Sequence, residues 1–319
     1  MNIIVDSIRN LEVGEVQVYK NLAIAPILGN DSSLDYLVLA EAVTRGFQID
    51  EDLKNPRVPY LLASNSTGRN VLAIAGDYVV GGRQNRALAQ NIYFEINFNG
   101  QIPVRCIERG RWHLSPPSGK PEGSFEYLGT VSRHSARARS QAETWREAEM
   151  HLADSQVRSG SSDLSEVYRA RREDFEKLKE RFSTADNQVG MVAVFCRNGE
   201  KLFVADVFDK NAVLRKYFGG ILESHFLDSG LDSKNTVELS REEAKGFLDS
   251  ADTCNFTPIN PVSLGQEYEM KKDNLLGSAL VFENGLLYAN LYTPKKSSME
   301  TLGQEEATPR IQRSIFANR

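Results

Sequence analysis

Gly190 to Phe208, GMVAVFCRNGEKLFVADVF, and Gly277 to Tyr292, GSALVFENGLLYANLY, carry one pattern twice. Each opens on an apolar run containing Val-Phe, passes through Asn-Gly, and closes on a second apolar run. Asn-Gly between strand-forming runs marks a two-residue β-turn, because the central residues of that turn need positive φ. Asn198-Gly199 and Asn284-Gly285 therefore predict two hairpins, and two hairpins side by side make a four-stranded antiparallel sheet. Between them, Ala212 to Asp228 has the apolar stripe of a helix. Ser240 to Ser250 opens on Ser240-Arg241-Glu242-Glu243, a capping box in which serine and glutamate satisfy free amides of the first turn. Helices on one face of that sheet give an α+β unit over residues 183–294.

Working outward, Ser140 to Val157 and Asp163 to Phe182 read as helices separated by Ser159-Gly160-Ser161-Ser162. In the second, Leu164, Val167, Tyr168, Arg171, Phe175, Leu178 and Phe182 fall on one stripe, and Ser161 or Ser162 suits the N-cap. An antiparallel helical pair over 137–182 is the simplest arrangement. Residues 114–136 are rich in Pro, Gly and Ser, without a period, and read as a long loop. Residues 1–113 read as a β-rich domain, a sandwich or a partly closed barrel. Its candidate strands are Glu15 to Leu28, Phe47 to Asp50, Val58 to Ala63, Val71 to Ala75, Ile92 to Phe98 and Ile102 to Ile107. Leu34 to Arg45 reads as a short helix ended by Gly46, and Asn99-Gly100 as a hairpin turn. The polar tail, 295–319, is expected to be loosely ordered.

Composition restricts the function classes. The 319 residues carry a formal charge of −5, with 41 % hydrophobic and 25 % charged side chains, so disordered and fibrous classes are excluded. No run approaches ~20 apolar residues, the length a membrane-spanning helix needs. Met1 to Asp6 lacks the basic and apolar regions of a secretion signal, which points to a cytoplasmic protein. A mildly acidic chain with spread charge argues against general nucleic-acid binding. The three cysteines (Cys106, Cys196, Cys254) are far apart and suit reduced thiols. The four histidines (His113, His134, His151, His225) share no metal-ligand spacing, so neither a structural zinc nor any cofactor is expected.

Two strings could carry chemistry. Gly76-Asp77-Tyr78-Val79-Val80-Gly81-Gly82-Arg83-Gln84-Asn85-Arg86 follows an apolar strand and sets amide and guanidinium donors beside glycines. Such donors suit a carboxylate, a phosphate or a base edge. The glycine spacing is neither a P-loop nor a dinucleotide fingerprint, and the plainer reading is a hairpin tied down by its own polar groups. The second string is Val104-Arg105-Cys106-Ile107-Glu108-Arg109-Gly110-Arg111-Trp112-His113. Arg111 and Trp112 combine a fork donor with a flat stacking surface. Cys106 with His113 would make a nucleophile and base, although a strand cysteine is more often inert. Glu108 is expected to pair with an arginine such as Arg86. Asp206 and Asp209 are acid/base candidates, with Asp209 better explained as a helix cap. Arg133, Arg137 and Arg139 read as a solvated basic face, and Gln141 with Trp145 as an anchor onto the first domain.

Together these strings resemble a known family. Tyr36 to Ala42 (YLVLAEA), Gly76-Asp77, Gly82 to Arg86, Pro103 to Trp112, Ser140-Gln141, Trp145, Gln188-Val189-Gly190 and Asp206 to Asp209 are similar to the ARPP domain family. That family is named for association with ADP-ribosylglycohydrolases and rhodanese-phosphatase-superfamily enzymes. The resemblance spans roughly residues 15–230, with Q-N-R and C-x-E-x-G-R-W its most specific parts. Asp77 stands where the family pattern has glutamate, and Arg83 where it has lysine. The resemblance implies a domain of prokaryotic systems associated with ADP-ribose or nucleotide metabolism.

Three functions compete. The first is a binding module for an anionic, nucleotide-like small molecule, using Gly76, Gln84, Asn85, Arg86, Arg111 and Trp112, with binding lost in Arg86→Ala. The second is a hydrolase with Asp77 or Glu108 as general base. The third is a non-catalytic scaffold whose helical pair meets a protein partner or a second copy.

Overall fold

The computed structural model describes residues 2–131, 140–231 and 233–294. Arg133, Arg137, Arg139 and the tail from residue 295 lie outside them. In chain order, α1 (Ile3–Arg9), β1 (Glu12–Val13), β2 (Gln17–Tyr19) and β3 (Leu22–Leu28) come first. Then follow β4 (Tyr36–Val38), α2 (Leu39–Ala42), β5 (Phe47–Asp50), β6 (Tyr60–Asn65), β7 (Asn70–Ala73) and β8 (Asp77–Gly81). β9 (Arg86–Leu88), β10 (Ile92–Phe94), β11 (Asn99–Cys106) and β12 (Phe125–Thr130) complete the strand-rich part. Three helices come next: α3 (Gln141–Asp154), α4 (Ser165–Ala170) and α5 (Arg172–Lys179). The last third runs through β13 (Gln188–Arg197), β14 (Glu200–Phe208), α6 (Asn211–Ser229), α7 (Arg241–Asp249), β15 (Asn255–Pro258), β16 (Gln266–Lys272), β17 (Leu275–Phe282) and β18 (Gly285–Tyr292).

The repeated pattern forms the two expected hairpins, and they lie side by side in the order β13-β14-β18-β17. Asn198 and Gly199 take positive φ, 50° and 79°, as a two-residue turn requires. In the second hairpin the turn sits one residue earlier, on Glu283 and Asn284, and Gly285 already pairs with Phe282. β3 adds to the outer edge of β13, with Ile24 opposite Ala193, so the first 28 residues sit on this sheet. β16 and β15 extend the other edge to make nine strands in all, β1 and β2 both lying on β3. Met191, Ala193 and Phe195 face α6 through Leu214, Ile221 and Phe226. Val192 and Val194 face the opposite way, toward Ile4 and Ile8 of α1 and Ala244 and Leu248 of α7. Both faces are dry, which is why Met191 to Phe195 is apolar at every position.

Six of the strands between residues 47 and 130 form a sheet in the order β12-β8-β9-β11-β6-β5. The Asp50–Ser124 bridge and the Glu51 amide, 2.8 Å from the Gly123 carbonyl, bring its two edges together into a nearly closed barrel. Phe47, Ile49, Leu61, Ala63, Val79, Leu88, Ile102, Val104 and Phe125 share its interior with Val71, Ala73, Ile92 and Phe94 of a three-stranded sheet, β10-β7-β4.

Local readings change in four places. Tyr36-Leu37-Val38 pairs parallel with β7, Leu37 opposite Val71, so only Leu39–Ala42 of the expected helix is helical. Sheet pairing overrides local propensity there. Asn99 and Gly100 pair with Ser64 and Ala63, and the bend falls on Asn97, with φ of 62°. Within 114–136, Phe125–Thr130 is a strand on β8. The second helix breaks at Arg171, and its start is held by Asp163 Oδ1, which accepts from the Ser165 amide at 2.9 Å, and not by Ser161 or Ser162.

Candidate functional site

The two polar strings meet because β9 and β11 are antiparallel neighbours: Arg86 lies across from Cys106, and the Ile107 amide donates to the Asn85 carbonyl at 3.0 Å. Glu108 is the hub. Its carboxylate accepts from Arg111 Nε at 2.9 Å to each oxygen, from the Asn85 amide at 3.0 Å and from Ser161 Oγ at 2.8 Å. Burial pulls the other way, but these donors hold the Glu108 carboxyl below its ordinary range. The expected Arg86–Glu108 pair is thus replaced by Arg111–Glu108, the same fork geometry reached from three residues away.

The rest of Arg111 is also committed. Nη1 donates to the carbonyls of Gly82 and His113, and Nη2 to the Gly81 carbonyl and Asn85 Oδ1. Asn85 in turn donates from Nδ2 to Asp163 and accepts from the Gly81 amide. Asp163, Ser165 and Arg169 extend the network onto α4. Asp163 sits behind a Ser-Gly-Ser-Ser turn that reads simply as a helix start, so nothing in the sequence marks it as a partner of Asn85. Arg111 and Asn85 hold the loop together and have no donor left over.

Arg86 is different. Its side chain is fully buried (0 % exposed), and Nε, Nη1 and Nη2 have no hydrogen-bond partner. Burial pushes its pKa down from the ordinary arginine value, with nearby Arg111 acting the same way and Cys106, Glu51 and Glu108 opposing. The Trp112 ring lies over it, 5.9 Å from Cζ to ring centroid, and over Arg83 at 5.8 Å. Trp112 is 46 % exposed, so the ring that lies over the guanidinium is about half in solvent. Gln84 donates through Nε2 to the Glu108 carbonyl at 2.8 Å, and its Oε1 is buried without a partner. Oε1 of Glu51, a residue that sequence reading missed, is in the same condition.

Gly76 and Asp77 stand at the other end of β8. The Gly76 amide and carbonyl are taken by Leu88 and Val131. Asp77 is buried and accepts from the Ile74 amide at 2.9 Å, Tyr217 OH at 3.0 Å and Thr130 Oγ1 at 3.3 Å. Burial first, and this carboxylate second, push the Tyr217 and Tyr127 hydroxyls well above their ordinary range. Cys106 is likewise buried; its thiol donates to the Glu108 carbonyl, and burial pushes its pKa up. Asp209 does not cap α6. It accepts from Ser32 and Tyr36, while Asp31 takes the Asn211 amide at 2.7 Å. Asp206 is buried between His225 and Tyr288. Gln141 anchors α3 as expected, its amide spanning the Cys106 N–H and carbonyl at 2.9 and 2.7 Å. Among the described residues, a close-set group able to hold a metal lies elsewhere, on α3 and α6: Glu147, His151 and Asp228.

The family model of the ARG and Rhodanese-Phosphatase-superfamily-associated Protein domain matches residues 10–292. The match reaches beyond the motifs to take in the second hairpin and the strands before it. No curated protein and no solved structure matches the chain.

Proposed function

For a chain that belongs to the ARG and Rhodanese-Phosphatase-superfamily-associated Protein domain family, we propose a binding role: it takes an anionic, nucleotide-like small molecule at the Arg86 guanidinium beneath Trp112. One observation carries the reading. Arg86 is fully buried with none of its five N–H groups answered. Burying an unpartnered charge costs several kcal/mol, so a protein that keeps one has a use for it. A phosphate or carboxylate answers a guanidinium fork two bonds at a time. A ring above it, half in solvent, offers a base or sugar a stacking surface once it swings aside. Gln84 Oε1 adds an acceptor for a sugar hydroxyl or a base N–H.

Of the six residues expected to bind, the reading keeps Arg86, Gln84 and Trp112. Asn85 and Arg111 become the frame that fixes them. Glu108, held ionised by Arg111, has the wrong poise for a general base. The ADP-ribose connection rests on the family's association alone and sets only the first compound to try.

Isothermal titration with ADP-ribose, ADP and inorganic phosphate tests the proposal on the full chain. Saturable binding of one of them is expected, weakened about tenfold or more in Arg86→Met while circular dichroism stays unchanged, as loss of charge-assisted hydrogen bonds dictates. Binding that survives Arg86→Met, or no uptake of any of the three, overturns it.

A further inference from the structure

Glu147 and His151 are one turn apart on α3, so their side chains share a face. Asp228, in the last turn of α6, meets them there. One donor atom from each lies within 4.8 Å of the others, and all three side chains are buried. His151 is fully buried, and neither ring nitrogen has a hydrogen-bond partner. Its Nε2 is 3.4 Å from Asp228 Oδ1, but the two are not aligned for a hydrogen bond.

That misalignment is informative. In a hydrogen-bonded pair the donor points along the line between the heavy atoms. In a metal site each donor points instead at the ion, at the apex of a triangle. With bonds of ~2.1 Å and tetrahedral angles, neighbouring ligand atoms sit about 3.4 Å apart. The His151–Asp228 pair has that separation and that off-line geometry.

We propose that Glu147, His151 and Asp228 bind a divalent transition-metal cation. One imidazole with two carboxylates is a mixed nitrogen–oxygen set of the kind zinc and manganese accept, and too nitrogen-containing for calcium. A carboxylate binding through both oxygens, or a water, completes four-coordination. Because all three side chains are buried, an ion held by them would be structural. It clamps α3 to α6, two helices from distant parts of the chain. The site is separate from the Arg86 cluster and does not depend on it.

The test uses the full chain, stripped with chelator and dialysed against Zn2+ or Mn2+ alone. About one ion per chain is expected to remain on wild-type protein. His151→Ala should weaken retention about tenfold or more, as loss of a ligand requires, while His113→Ala, at an exposed histidine, should retain the ion. Crystals grown with Zn2+ decide the case without any variant. An anomalous peak among the three side chains supports the proposal; a peak elsewhere, no peak, or retention indifferent to His151→Ala overturns it.

Discussion

Arg86 and Cys106 face each other across one pair of antiparallel strands, both fully buried. The thiol donates to the Glu108 carbonyl, and the guanidinium donates to nothing. A charge left unanswered in a dry interior subtracts from stability, so removing it should help the fold. Arg86→Met, which keeps the volume, is expected to raise the melting temperature of the ligand-free protein. A gain of about 1 kcal/mol, or roughly 2 °C, is the scale that replacing buried ionic groups by apolar ones commonly gives. Calorimetry checks it. A fall like that of an ordinary core truncation would mean that Arg86 is structural.

Glu108 should behave in the opposite way. Deleting its charge strands Arg111, so Glu108→Gln is expected to cost about 3 kcal/mol at neutral pH. Because the folded state holds this carboxyl below its ordinary value near 4.5, its contribution is complete above that value. The contribution is lost as pH falls through the lower, folded value. Urea midpoints measured from pH 7 to pH 3 should show the wild-type and Glu108→Gln curves converging on the acid side. A gap that stays constant with pH contradicts this account.

The hairpins supply a third test, from the glycines that open both copies of the pattern. A Cβ on Gly190 would lie 2.5 Å from the Asp206 carbonyl oxygen, and one on Gly277 2.3 Å from that of Asn290. Gly190→Ala and Gly277→Ala should each destabilise by about 1–3 kcal/mol through overpacking. Gly246, in α7 with open space around it, should do the reverse and gain about 0.5–1 kcal/mol as alanine. Chemical denaturation that ranks the three otherwise would contradict the close backbone approach.

These glycines also show what was legible. The repeated string announced its hairpins and their pairing, because turn chemistry and strand propensity are local. Helices were expected on one face of the sheet they form; α6 covers one face of Met191 to Phe195 and α1 with α7 the other, and that second layer depends on contacts far away in the chain. Tyr36–Val38 and Phe125–Thr130 were hidden for the same reason: each is a strand by virtue of a distant partner, β7 or β8. At the candidate site, residue types were readable and their assignments were not. Arg86 and Arg111 are equally plausible partners for Glu108 in sequence, and only the bend after Cys106 decides between them. His151 with Glu147 has helical spacing, yet its third companion comes from α6.

Gln141 joins α3 to the end of β11 by standing in for a strand, one amide answering both the N–H and the carbonyl of Cys106. Gln141→Ala leaves both backbone groups without that partner and should cost about 1–3 kcal/mol. The effect should be local: hydrogen exchange at the Cys106 amide is expected to accelerate, while β13 and β14 remain protected. Acceleration spread evenly over the chain would show that the amide is not the joint.

Trp112 offers the most direct view of the proposed site, because the chain has only two tryptophans. Trp145 lies against Arg109 and beside the Cys106 side chain, and is removed in Trp145→Phe. In that variant all indole emission comes from Trp112, a ring stacked on two guanidinium groups and about half in water. A ligand that reaches Arg86 has to displace the ring or stack upon it, and either event changes its surroundings. Adding ADP-ribose is therefore expected to quench or shift the emission of Trp145→Phe along a saturable curve. The same addition should change the emission of Trp112→Phe, which reports from Trp145 alone, by much less, because Trp145 lies beside Cys106 and not over Arg86. Arg86→Met in the Trp145→Phe background should flatten the curve, because the ring would then cover nothing that holds an anion. A response carried mainly by Trp145, or one indifferent to Arg86, would place any binding outside the space beneath Trp112.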